Sequence, residues 1–164
     1  FEEETGFSPV RRMIDKLVGV GFDAGIMTEP GHGRYWAGNG KLRTGSTPLH
    51  VDFSPQDSPG WAVGEVEVQL AWNLYLDVNT DADEIVIWDR QWASEHDDLH
   101  QVEESYSYNN SAVEGAEEIR IPPVAGDVLI INSQNYHTVV KCTHRLAFGS
   151  FIGVVEPNVL RMWS

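Results

Sequence analysis

Apolar positions fall into two rhythms along the chain. Val10, Met13, Ile14, Leu17 and Val18 recur at helical spacing behind Ser8-Pro9, a pair suited to an N-cap and a first helical position. Gly19 and Gly21 close that helix, whose single stripe predicts docking on one side. From residue 66 the period drops to two. Val66, Val68, Leu70, Trp72, Leu74 and Leu76 share one face of a strand, and Glu67, Gln69, Ala71, Asn73 and Tyr75 share the other. A polar face on so apolar a strand points to solvent or to a wet pocket. Further strands are predicted at Glu84–Asp89, Glu117–Ile121, Val128–Ile131 and Leu160–Trp163, with Tyr136–Lys141 and Arg145–Val155 as a hairpin around Cys142–His144. Between them, Ala93–Glu118 is polar and acidic and reads as a long excursion, a kind of loop that is usually functional. Many short strands with one helix predict a mainly β protein, a sandwich or barrel.

Composition narrows the function classes. The 164 residues suit one domain, and 41% are apolar, too many for a disordered chain. With 25 Asp and Glu against 11 Lys and Arg, the net charge of −14 argues against nucleic acid as a partner. A small anion is not excluded, because a buried Arg acts locally against the global field. No apolar run is long enough for a membrane span. Cys142 stands alone and cannot build a disulfide framework or a thiolate metal cage. No signal-peptide pattern opens the chain, so the expected location is cytoplasmic. The expected partner is a small-molecule substrate, with a homodimer left open.

The candidate chemistry lies in Leu49-His50-Val51-Asp52-Phe53 and Asn135-Tyr136-His137-Thr138. Residues i and i+2 of an extended segment point the same way, so His50 and Asp52 offer an imidazole and a carboxylate to one point. A second strand can supply His137 from the facing side. Two His and one carboxylate on one face of a metal leave positions open, the facial triad of non-haem iron(II) oxygenases. A His-x-Asp pair alone is a weak signal, and the downstream Arg145 strengthens it. Arg at the start of an apolar strand is costly to bury without an anion, and nothing nearby in the sequence supplies one. A bound dicarboxylate is the anion this predicts.

With these residues the chain resembles the iron(II)- and 2-oxoglutarate-dependent oxygenases of the double-stranded β-helix (jelly-roll, cupin-like) fold. The resemblance covers residues 35–164 as the β-helix core, with 1–34 as a flanking segment carrying the helix, in one domain spanning 1–164. Leu70-Ala71-Trp72-Asn73-Leu74-Tyr75-Leu76 and Ser150-Phe151-Ile152-Gly153 look most like the subgroup of N-succinyl amino acid hydroxylases and carrier-independent halogenases. The resemblance implies iron(II) on His50, Asp52 and His137, which serve as both metal and catalytic residues. It also implies 2-oxoglutarate and O2 as cosubstrates, with Arg145, Tyr75 and, on the same strand face, Asn73 as cofactor-binding residues. The expected activity is oxidation of an unactivated C–H bond of a small free molecule, an amino acid derivative or natural product, with succinate and CO2 as coproducts. Halogenases of the subgroup replace the carboxylate ligand by a small residue. Asp52 therefore implies hydroxylation, or another oxidation, rather than halogenation.

Trp36, Arg43, Trp88, Arg90 and Asn135 are the candidate substrate-side residues, each with a bland alternative as surface, core or turn residue. His96 and His100 sit in the acidic excursion without a strong metal signature. Two other readings stand beside the oxygenase: a cupin-like metal-binding barrel without 2-oxoglutarate turnover, and a non-enzymatic binding module.

Overall fold

The computed structural model describes residues 2–79 and 83–164. After a single turn, α1 (Glu2–Thr5), the chain enters α2 (Pro9–Gly19) where the sequence predicts it. Ser8 sits in extended conformation and its side chain accepts from the Arg11 N–H at 3.2 Å, a cap worth about 1 kcal/mol. The strands are β1 (Asp23–Ile26), β2 (Thr28–Glu29), β3 (Gly33–Arg34), β4 (Asn39–Arg43), β5 (Val68–Val78), β6 (Glu84–Gln91), β7 (Glu118–Ile121), β8 (Val128–Asn132), β9 (Asn135–Val140), β10 (Arg145–Glu156) and β11 (Val159–Trp163). Two short helices, α3 (Ser54–Asp57) and α4 (Glu95–His100), lie in the connections.

These strands build a jelly roll. One sheet runs β1-β11-β10-β5-β8, with β4 also pairing β10, and a second runs β7-β6-β9. β1 joins β11 in parallel, so the segment before residue 35 contributes a strand to the large sheet. The inward faces meet in a core of Ala71, Tyr75, Ile131 and Ala147 from the large sheet against Ile85, Ile87 and Val139 from the small one. Each Ile or Val among them, fully buried, contributes about 1.5–3 kcal/mol. The polar face of β5 is thus the interior face, where Asn73 meets a wet cleft. The apolar face of β5 turns outward under α2, where Trp72, Ile152, Leu160 and Met162 pack with Val10, Met13, Ile14 and Leu17. Val18, expected in that stripe, is 52% exposed.

The predicted hairpin does not form. β9 pairs β6 in the small sheet, and β10 pairs β4 and β5 in the large one. Lys141 takes a left-handed φ of 55° and Cys142 is buried in the core, so the connection arches across the core from one sheet to the other. The excursion, in turn, is folded. α4 and a 3-10 turn at Asn110–Val113 cover the outer face of β9, where Tyr136 packs with Leu49, Val51, Tyr108, Ala112 and Val113. β9 is therefore buried on both faces. No helix of the described residues is long and apolar enough to cross a membrane.

Candidate metal centre and its cleft

His50 and His137 face each other across an antiparallel bridge, exchanging backbone hydrogen bonds of 3.0 and 2.9 Å. Directly paired residues project to the same side. Asp52 follows two residues on in extended chain and joins them. Its Oδ2 lies 4.0 Å from His50 Nε2 and 3.4 Å from His137 Nε2, and one ligand atom from each residue falls within 4.8 Å of the others. Among the described residues this is the one such group of His, Cys, Asp or Glu.

The far side of each ring fixes its tautomer. His50 Nδ1 donates to the Pro48 carbonyl at 2.9 Å, and His137 Nδ1 donates to the Asn135 carbonyl at 2.8 Å. Each Nε2 is thereby turned toward Asp52, the orientation metal-binding histidines use. Burial, followed by the neighbouring His137, pushes the His50 pKa down to about 4, so its imidazole is neutral at pH 7. Burial alone raises the Asp52 carboxyl. The His137 hydrogen bond and the two imidazoles outweigh it, and the net direction is downward, toward the ionised form. Two imidazole nitrogens and a carboxylate oxygen on one side fit iron(II).

Buried polar groups hold the Asp52 backbone. Its carbonyl accepts from Ser133 Oγ at 2.8 Å and Gln69 Nε2 at 3.1 Å, and its N–H donates to the Ser133 carbonyl at 2.9 Å. Gln69 Oε1 also accepts from the Ser54 N–H at 2.8 Å. Neither Gln69 nor Ser133 was singled out as a site residue. The available signal was Gln69 on the inward face of a strongly apolar strand. The Tyr106 ring stands edge-on to His50, with centroids 5.7 Å apart, and nothing in its local sequence signals that contact.

The triad opens on a cleft of about 200 Å³ between the sheets, lined by Asn39, Lys41, Arg43, Asn73, Arg145 and Ser150 among others. Asn73 reaches it because Gly149 lies opposite; a Cβ there would collide with the Trp72 carbonyl and stand 2.8 Å from Asn73 Oδ1. Arg145 is buried, as expected, and it already has an internal anion. Asp83, fully buried, accepts from its Nε at 2.7 Å and from its Nη2. The expectation that Arg145 lacks a partner without a dicarboxylate is therefore overturned, because the partner lies 62 residues away in sequence. Asp83 does not line the cleft and Arg145 does, so the carboxylate backs the guanidinium from behind and leaves Nη1. The guanidinium stacks 5.4 Å over the Tyr75 ring. Tyr75 Oη is buried without a hydrogen-bond partner, an unspent donor beside Arg145. Arg145 lines the cleft and can meet a carboxylate ligand there, whereas Tyr75 lies behind the lining, against the guanidinium.

Of the substrate-side candidates, Arg43 lines the cleft. Trp36 is 73% exposed and donates through Nε1 to the Gly38 carbonyl. Trp88 packs in the cluster under the excursion, and Arg90 Nη1 holds the Ala112 carbonyl at 3.0 Å. Asn135 Nδ2 donates to the Trp88 carbonyl at 2.8 Å while its own carbonyl orients His137. His96 pairs with Tyr136 Oη at 3.0 Å, and His100 with Ser111 Oγ at 3.0 Å.

Comparison with known proteins agrees with this geometry. No family model matches the chain. It is 32% identical, over 168 residues, to leucinostatins biosynthesis cluster protein S of Purpureocillium lilacinum, covering 96% of this chain and 68% of that protein. It is 27% identical to the L-gamma-glutamyl-L-propargylglycine hydroxylase of Streptantibioticus cattleyicolor over 72% of this chain and 44% of that enzyme. Its fold matches the crystal structure of an N-substituted L-amino acid dioxygenase from Burkholderia ambifaria with a TM-score of 0.69 and 21% identity, over 94% of this chain. The chain spans 61% of the length of that structure. The facial triad, the jelly roll that carries it and these relatives together lead to one conclusion: the chain belongs to the iron(II)- and 2-oxoglutarate-dependent oxygenases.

Proposed function

We propose that this chain hydroxylates an unactivated C–H bond of a small, free amino acid derivative, using iron(II), 2-oxoglutarate and O2. The observation that carries the reading is the convergence of His50, Asp52 and His137 at the end of a cleft whose other wall holds Arg145. The relatives that are a dioxygenase of N-substituted L-amino acids and a hydroxylase of a glutamyl dipeptide support the substrate class.

Bound iron and 2-oxoglutarate supply the oxidising power, with succinate and CO2 as coproducts. The chain's own residues do the rest. His50 and His137 would hold the iron through their Nε2 atoms, and Asp52 offers a negative charge held in place through its backbone by Gln69 and Ser133. Arg145, set by Asp83 and stacked over Tyr75, presents Nη1 to an acid group. The inward faces of β5, β6 and β9 keep water from the buried end of the cleft, where a C–H bond can be held still. Halogenases of the resembling subgroup carry a small residue where this chain has Asp52, which supports hydroxylation over halogenation.

The test is succinate release from 2-oxoglutarate by the iron-loaded chain under air, with a panel of N-acyl amino acids. Substrate-dependent succinate, matched by a product heavier by one oxygen, is the expected result. No succinate with any member of the panel, from protein shown to hold iron, contradicts the proposal.

A further inference from the structure

The cleft has the opposite sign to the protein. The chain carries −14, yet Lys41, Arg43 and Arg145 all line this one cavity, and the carboxylate that lines it is the metal ligand Asp52. Lys41 and Arg43 stand two apart on β4, so both point inward. Arg43 also lies directly across from Arg145 in the β4–β10 register. Like charges directly opposite on neighbouring strands repel. Asp83 compensates Arg145 from behind, but neither Arg43 nor Lys41 enters an ion pair among the described residues. Exposed Lys41 and half-buried Arg43 thus face the cleft beside the metal triad, where Asp52 is the one carboxylate in the lining, and three cations against one anion make a field that draws in a small anionic ligand.

We propose that Lys41 and Arg43 form a carboxylate-binding site at the rim of the metal cleft, which takes an acid group of the amino-acid-derived substrate. The proposal rests on the oxygenase reading for the word substrate, and on charge and register for the site itself. Arg43 suits the role because its fork matches a carboxylate, and Lys41 adds a mobile point charge. The same carboxylate chemistry is present at the far end of 2-oxoglutarate, so the test separates the two sources.

Zinc-loaded protein, which binds without turning over, is titrated calorimetrically in two steps. The first adds 2-oxoglutarate. The second adds N-acetyl-L-glutamate, or its uncharged diamide, to protein saturated with 2-oxoglutarate. Wild type is compared with Lys41→Gln, Arg43→Gln and the double variant, whose unfolding midpoints are checked against wild type. The expected result is unchanged 2-oxoglutarate affinity, with N-acetyl-L-glutamate at least tenfold weaker in the double variant and the diamide unbound. A tenfold loss of 2-oxoglutarate affinity instead upholds a carboxylate site but overturns its assignment to substrate. Equal affinities in wild type and double variant for both acids, or no binding of the glutamate probe alongside unchanged 2-oxoglutarate, overturns the site. Failure of the wild type to bind 2-oxoglutarate counts against the oxygenase reading, and N-acetyl-L-glutamate titrated into the zinc-loaded protein alone then decides the role of Lys41 and Arg43.

Discussion

Asp83 carries the most completely buried carboxylate in this account, and one guanidinium answers it. Removing one partner of such a pair leaves the other charge desolvated and unopposed. Asp83→Ala is therefore expected to cost about 3–5 kcal/mol of stability. Urea unfolding reads this directly, and an unmoved midpoint would mean that Arg145 finds another anion. Gln69 tests a gentler coupling. Gln69→Leu keeps the bulk but strips the bonds to Ser54 and Asp52, with an expected loss of about 1–3 kcal/mol in stability and about tenfold in metal affinity. Loss of stability with full metal affinity would reduce Gln69 to a packing role. The triad was legible in the sequence because the i, i+2 rule needs no knowledge of the fold. Asp83, Gln69 and Ser133 were not, because each earns its role from a neighbour that only the folded sheets bring near.

At the scale of elements, the excursion between β6 and β7 is tied to the metal segment. Tyr108 N–H donates to the Leu49 carbonyl at 2.9 Å, and Ser107 bridges to His50. Asp97 organises this region by accepting from Trp92 Nε1 at 2.8 Å, Tyr108 Oη at 2.6 Å and Gln56 Nε2 at 3.1 Å. Asp97→Ala is expected to raise amide exchange across α4 and residues 101–113 and to leave β5 and β10 protected. Uniform protection in the variant would show that apolar packing alone holds the excursion. Deleting residues 93–118 would remove contacts to His50 itself, so the segment cannot be treated as a substrate lid independent of the metal. The strands from β5 to β11 were visible in the period-two alternation, to within two residues at most ends. β1 to β4 were not, being two to five residues long, rich in glycine and without alternation. The sheet assignment of β10 was hidden for a different reason: a short link between two strands looks the same whether it turns a hairpin or crosses the core.

For the whole molecule, the triad stitches together parts distant in sequence. His50 and Asp52 lie on a connection, and His137 lies on the small sheet, with the large sheet forming the opposite wall of the cleft. A metal that binds only this folded arrangement stabilises it by mass action, about 2.7 kcal/mol at one hundred times its dissociation constant. For a chain of this size that corresponds to a rise in Tm of about 5–10 °C, which EDTA is expected to reverse. A Tm indifferent to iron(II) would set the three residues apart from any common ion.

The most direct measurement is an anaerobic calorimetric titration of iron(II) into the wild-type chain, Asp52→Ala and His137→Ala. The account predicts one ion per wild-type chain and binding weaker by about a hundredfold or more in each variant, with the metal-free variants still folded. Iron(II) bound as tightly by either variant as by wild type would contradict it.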